Sequence, residues 1–413
     1  MLPAWLSAAS QALGFALPRL VGGVGLTALL TWLLPKYRAW VLLALSLAFF
    51  GLFTGWIPLA CQAAAAGLGF ALWRWAEVRT RRAQRAVLAL VLSGNALAYF
   101  GLMNASRLGL EAKLPTVQAL GLSYLFWRVL HVAVDAYQGK LQRVSLPRFL
   151  LYLFYFPTMK GGPIQRYQDF FAAPFFQAEG WRLTLTAPQL LRFAGGLAKL
   201  LACRLSLQID YDALWPQTGT LAYLVLLKIL YARAISFYLI ASGANDLTLM
   251  VSKALGIPLP ENYDYPYFQR NLAHFWRRWH MTLTACLRDY VYEPLGGKRK
   301  HQYRNYLITF LVCAFWHVCS PAFLFWGLWH GLGLCLLRAW QDFWEIRVPA
   351  LGPGGEGLRR IRAAMRAQPS LGKALSGLLT FHFVALGWLP FWGGHPQGTT
   401  ALLRLVGLGF LLK

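Results

Sequence analysis

The residues best equipped for chemistry are three histidines set close together in an apolar chain: His280, His317 and His330. His317 sits in Cys313–Ser320, CAFWHVCS, just after the apolar run Asn305–Trp316, and His330 follows in GLWHG. Ionisable side chains within apolar segments are costly and face a cavity or a partner. A neutral imidazole costs less than a charge, so a hydrogen-bonded structural histidine is the competing reading. An imidazole titrates near about 6.5 and can take a proton from a hydroxyl as it attacks an acyl carbon. Arginines nearby could hold a phosphate or a developing oxyanion. The stretch Asn271–Lys300, NLAHFWRRWHMTLTACLRDYVYEPLGGKRK, supplies Arg277, Arg278 and Arg288 around His280.

Other chemistries are poorly provided for. The acids near this region, Asp246, Glu261, Asp264, Asp289 and Glu293, form no glycosidase-like pair. No P-loop, GxSxG or HExxH occurs. The six cysteines form no CxxC and no Cys/His zinc spacing, so no metal site is expected. Cys313 or Cys319 beside His317 could supply a thiolate, but buried cysteines are usually inert.

These residues need a scaffold, and composition says what kind. The 413-residue chain is 57% hydrophobic and only 13% charged, against about 25% in a soluble domain. Mean hydropathy is +0.45. Apolar runs from Leu20–Leu34 to Ala401–Leu412 predict roughly ten to twelve membrane spans. The expected fold is an all-α, polytopic transmembrane bundle with re-entrant or interfacial helices. With no internal repeat and no soluble segment, residues 1–413 read as one integral-membrane domain. The N-terminus lacks a basic n-region and does not read as a cleaved signal peptide.

The net charge of +25 comes from basic clusters between apolar runs, such as Arg74–Arg85, Gly297–Arg304 and Leu358–Lys373. These fit cytoplasmic loops against anionic lipids rather than nucleic acid. They could also attract an anionic acyl donor.

Two segments are expected to position the histidines. Around Asn271–Lys300, Phe275, Trp279, Leu283, Cys286 and Tyr290 fall on one helical stripe. Arg277, His280, Thr284 and Arg288 fall on the other, which predicts one amphipathic helix lining a polar cavity or an interface. Phe149–Phe170 is interrupted by Pro157 and by Gly161-Gly162-Pro163, so a re-entrant or interfacial loop is expected there. Non-helical backbone at membrane depth survives only where protein or a water-filled cavity covers it.

Several of these segments resemble the membrane-bound O-acyltransferases, in their bacterial polysaccharide-modifying branch. FPTMKGGPIQRYQDF, Phe156–Phe170, is similar to the family's FP…GPI.R loop. Glu261–Arg299 is similar to its ENF…FW.RWH…RDY…PLGG block, and Trp316–Gly331 to its paired-histidine region. SGANDLTLM, Ser242–Met250, lies where the family carries a similar small-residue segment. One departure stands out: the family's WHG is Trp316-His317-Val318 here.

The resemblance implies a helical bundle around a central tunnel, with a catalytic core over about residues 150–340. It implies transfer of an acyl group, acetyl or D-alanyl, from a thioester donor to a hydroxyl of a cell-envelope polysaccharide or teichoic acid. His317 and His280 would be the catalytic pair, with His330 supporting. Arg277, Arg288, Thr284, Arg166 and Asn245 would bind substrate. No tightly bound cofactor is implied; the donor would be acyl-CoA or an acyl-carrier protein. A periplasmic or extracellular acyltransferase partner and the bacterial inner membrane complete the expectation. A transporter or channel, or a non-catalytic scaffold, remains the alternative from the residues alone.

Overall fold

A computed structural model describes residues 22–103, 122–141, 144–159, 162–177, 181–207, 220–317, 320–367 and 369–389. The expected last span Ala401–Leu412, the segment before residue 22, and Gly161, Val318 and Cys319 lie outside them. All regular structure among the described residues is helical.

In chain order the helices are α1 (Gly22–Leu33), α2 (Arg38–Thr54), α3 (Trp56–Glu77), α4 (Arg81–Met103), α5 (Leu122–Tyr137) and α6 (Leu146–Phe154). They continue with α7 (Tyr167–Phe171), α8 (Pro174–Gln177), α9 (Ala187–Leu207), α10 (Thr220–Ala254), α11 (Leu272–Trp276) and α12 (Met281–Leu287). The last five are α13 (Gln302–His317), α14 (Pro321–Asp342), α15 (Val348–Ala350), α16 (Glu356–Ala367) and α17 (Pro369–Trp388). The described residues fall into two compact units, one within Ala9–Leu201 and Ile240–Glu261, the other within Ala202–Leu239 and Asn262–Lys413.

Three helical stretches among the described residues are long and apolar enough to cross a membrane: Trp56–Glu77, Leu227–Ala254 and Pro321–Ala350. A fourth candidate is the pair Gly22–Leu33 and Pro35–Leu52, bent by 119° where Pro35 opens a new turn. Several of the ten to twelve spans expected from apolar runs lie partly or wholly outside the described residues, and α6, with nine residues, is short of the about 20 a hydrocarbon core requires.

In the unit holding α6 and α7, the expected interruption is built from buried, non-α-helical backbone. Helix α6 stops at Phe154, one residue after which comes a single 3-10 turn, Phe156–Thr158, around Pro157. Arg128 on α5 is buried and donates to the carbonyls of Tyr152 (3.1 Å) and Leu153 (2.8 Å), which the helix end leaves without intrahelical donors. It also donates to Thr158 Oγ1. Beyond it, Pro163, Ile164 and Gln165 are non-helical and buried. Tyr152 Oη donates to Gln165 O at 2.6 Å, Gln165 Nε2 to Pro258 O at 3.0 Å, and Tyr167 N to His131 Nε2 at 3.0 Å. Protein groups thus replace the water that this backbone lacks. A Cβ at Gly162 would lie 2.8 Å from Thr158 Cα and from Thr248 Cγ2, so only glycine lets the segment pack this closely.

Candidate active site

The segment Asn271–Lys300 is not one amphipathic helix. It is α11, a turn at Arg277–His280, α12, and a wider π-type turn at Arg288–Tyr292. No proline or glycine forces this break. Tertiary contacts do. Trp279 packs against Phe237, Tyr263, Tyr267, Phe275 and Trp388, with ring centroids 5.2–5.7 Å apart. The strand-like residues before α11 are stitched to the turn. Asp264 N donates to Arg278 O (3.0 Å), and Arg278 Nη1 to Asp264 Oδ2 (2.5 Å). Asn262, fully buried, accepts Met281 N at its carbonyl (2.9 Å) and Thr282 N and Oγ1 at Oδ1 (3.1 and 2.9 Å).

This stitching sets His280 in the left-handed region, φ 44° and ψ 53°, immediately before α12. Left-handed backbone at a residue with a Cβ costs about 1–3 kcal/mol and persists where the surroundings over-determine it. The reversal also explains the correction to the helical wheel. His280 turns inward and is 8% exposed, whereas Arg277 and Arg288 stay on the surface. Thr284 is half-buried, its hydroxyl donating to Trp279 O at 3.2 Å.

His280 and His317 come together across one tryptophan. The Trp316 ring lies 6.3 Å from His280 and 4.5 Å from His317, centroid to centroid. The two imidazoles are close enough to interact electrostatically. His317 is the last residue of α13, stacks on Phe323 (5.5 Å, 25°) and meets Trp326 edge-on (5.7 Å, 87°). It is only half-buried, and its ring has no hydrogen-bond partner among the described residues.

His330, on α14, is fully buried. It is boxed by Trp276, Phe310, Trp326 and Phe383 at centroid distances of 5.0–6.0 Å. Neither ring nitrogen has a hydrogen-bond partner among the described residues, and a Cβ at Gly387 would fall 2.7 Å from Nε2.

The remaining candidates lie apart from this cluster in role or in unit. Arg288 Nε pairs with its neighbour Asp289 at 2.8 Å. Arg277 and Arg278 form part of a basic surface with Arg270. Partial burial, and then these arginines, hold His274 below the ordinary imidazole range. Arg166 and Asn245 belong to the other unit. Arg166 Nη1 lies 3.2 Å from His131 Nδ1, and Asn245 is buried on α10. Among the described residues no group of three His, Cys, Asp or Glu could hold a metal ion.

Two polar residues central to the geometry escaped the sequence reading. Asn262 shapes the His280 turn, and Asn305, fully buried, donates to Gly297 O (2.9 Å) and Lys300 O (2.7 Å), holding the PLGG loop. The motif block that begins at Glu261 contains Asn262, but its sequence gives no sign of the bonds that either asparagine makes.

Comparisons with known proteins converge on one family. A model of the membrane-bound O-acyltransferase family matches residues 96–349. The protein named probable alginate O-acetylase AlgI of Pseudomonas aeruginosa is 29% identical over 335 residues, 76% of this chain and 59% of its own length. The peptidoglycan O-acetyltransferase of Helicobacter pylori is 28% identical over 64% of this chain and 48% of its own length. The teichoic acid D-alanyltransferase of Streptococcus thermophilus is 27% identical over 66% of this chain and 68% of its own. The chain spans about three fifths of the length of the alginate O-acetylase relatives it matches.

Proposed function

Because this chain belongs to the membrane-bound O-acyltransferase family, we propose that it moves a small acyl group from a thioester donor to a hydroxyl of a cell-envelope polymer. The observation that carries this reading is the contrast within the histidine cluster. His317 is partly exposed and its ring has no hydrogen-bond partner among the described residues, and the buried His280 stands beside the same tryptophan.

In this reading His317 accepts the proton of the attacking hydroxyl, whose oxygen bonds to the acyl carbon. The carbon–sulfur bond breaks, and the departing thiolate takes the proton back from the imidazolium. His280, held by the strained turn, donates to the thioester carbonyl and so stabilises the charge that develops on its oxygen. The over-determined backbone at His280 keeps that donor in place without reorganisation during the reaction. Arg277 and Arg288, exposed beside the site in sequence, meet the donor's phosphates.

The acyl group is acetyl or D-alanyl, as the names of the relatives suggest. The donor is acyl-CoA or an acylated carrier protein on the cytoplasmic side of a bacterial inner membrane, crossed several times by the chain. An extracytoplasmic acyltransferase partner completes delivery to the polymer. Purified protein incubated with labelled acetyl-CoA, or with a labelled D-alanyl carrier protein, and a hydroxyl acceptor tests the reading. Transfer that depends on His317 and His280 supports it. No transfer from either donor, or equal transfer by the His317→Ala and His280→Gly variants, overturns it.

A further inference from the structure

In the unit that lacks the three histidines, α9 and the end of α10 enclose a recess of about 270 Å³ with Pro258–Glu261. That is near the roughly 300 Å³ lower bound of small-molecule sites, enough for a headgroup rather than a whole lipid. Its charged rim is unevenly occupied. Arg192 is fully engaged, its guanidinium clamped by both oxygens of Glu261 (2.5 and 2.6 Å) and by Asp246 (2.8 Å). Asp246 also takes Lys199 at 2.6 Å. Lys253, exposed on the last turn of α10, has no ion-pair partner among the described residues. Three cations therefore face two carboxylates, and the uncompensated charge is at Lys253.

The second observation is Gln189, which lines the recess and is 5% exposed. Its Oε1 accepts Thr186 N (2.6 Å) and Thr186 Oγ1 (2.9 Å), closing the start of α9 as a capping residue does. That leaves its Nε2 donors with no partner among the described residues. A helix C-terminus accounts for a lysine at position 253. It does not account for Gln189, whose side chain lines the recess with an accessible Nε2 that has no partner among the described residues.

The surroundings point to an amphiphile. Lys253 lies at the end of Leu227–Ala254, a stretch apolar enough to span a membrane, where headgroups meet hydrocarbon. Leu249, Met250 and Leu259 give the recess an apolar floor. Next to Gln189 and Arg192 in sequence, Leu190 and Leu191 are 52% and 75% exposed, as lipid-facing residues are.

We infer that this recess binds the phosphodiester of an anionic membrane lipid. Lys253 Nζ and Gln189 Nε2 reach the phosphate oxygens, and the first methylenes of the lipid lie over Leu249, Met250 and Leu259. The inference is independent of acyl transfer and is read by binding alone.

The test uses the full chain, purified in detergent and stripped of lipid, with native mass spectrometry and thermal melts. Phosphatidylglycerol, dioleoylglycerol (chains without phosphate) and inorganic phosphate (phosphate without chains) are compared. Phosphatidylglycerol is expected to bind and raise Tm, and the other two to do neither. Gln189→Glu keeps the oxygen that caps Thr186 but loses the donors, and Lys253→Glu changes an exposed position, so both variants fold. Each is expected to weaken phosphatidylglycerol at least about tenfold, as loss of a hydrogen bond to a charged group does. Equal binding of dioleoylglycerol, or unchanged binding by both variants, overturns the inference. Inorganic phosphate that binds as tightly as the lipid overturns the lipid assignment in favour of a soluble phosphate.

Discussion

His317 and His330 sit on consecutive helices, each directly after a tryptophan, and their surroundings are opposite. His317, at the last described residue of α13, is partly exposed, and its ring has no hydrogen bond among the described residues. His330 lies mid-helix, fully buried in an aromatic box, with Gly387 pressed against Nε2. One imidazole is partly exposed, and the other is sealed by its neighbours. The difference teaches that a histidine in an apolar segment is defined by what closes over it. Two histidines in like sequence contexts therefore predict opposite phenotypes.

The sharpest way to break that contrast is to truncate both. His317→Ala is expected to lower acyl transfer about 10²–10⁴-fold, the usual contribution of a general base. Its stability should change by under about 1 kcal/mol, since the side chain is half-exposed. Transfer assays and denaturant melts on the same preparation read both quantities. A stability loss without an activity loss would reverse the assignment.

His280→Gly comes next. It removes the ring while glycine relaxes the left-handed backbone, so transfer should fall at least about tenfold while the melt holds or rises by about 1 kcal/mol. A variant that keeps full activity would leave His317 acting alone.

His330→Ala should do the reverse of His317→Ala. It opens a cavity among Trp276, Phe310 and Trp326 and costs about 2–4 kcal/mol in a melt, with transfer per folded molecule within a few-fold of the parent chain. A selective activity loss with an unchanged melt would show that substrate reaches the box after all.

Asn262→Ala tests how the open site is held. Losing the acceptor for Thr282 N and Oγ1 should cost about 1–3 kcal/mol and lower kcat more than it raises KM. Asn262→Asp, which keeps the acceptor, should recover most of both. The smallest effect is expected at the surface. Arg277→Gln should leave the melt within about 0.5 kcal/mol and raise KM for a phosphate-bearing donor, more at low salt than at high. An unchanged KM would detach the basic surface from the donor.

Much of the molecule was legible without coordinates. Long apolar runs and few charges announced a helical membrane chain, because hydrocarbon tolerates only internally bonded backbone. The Pro157 and Gly162-Pro163 interruption was legible as covered non-helical backbone, since proline and glycine act locally whatever surrounds them. The His280 turn was not legible. Residues Phe275–Tyr290 carry helical periodicity and no breaker, so the wheel put His280 with Arg277 and Arg288. Packing of Trp279 and hydrogen bonds from Asn262 and Asp264 override that local preference.

By itself, then, the amino-acid sequence determined the all-α class, the family and which imidazoles were candidates, because composition, breakers and motif spacing are properties of residues in order. Only the tertiary structure decided which histidine stays open and which is sealed. Contacts brought in by Phe383 and Gly387, distant in the chain, close over the His330 ring, whereas His317 stays partly exposed.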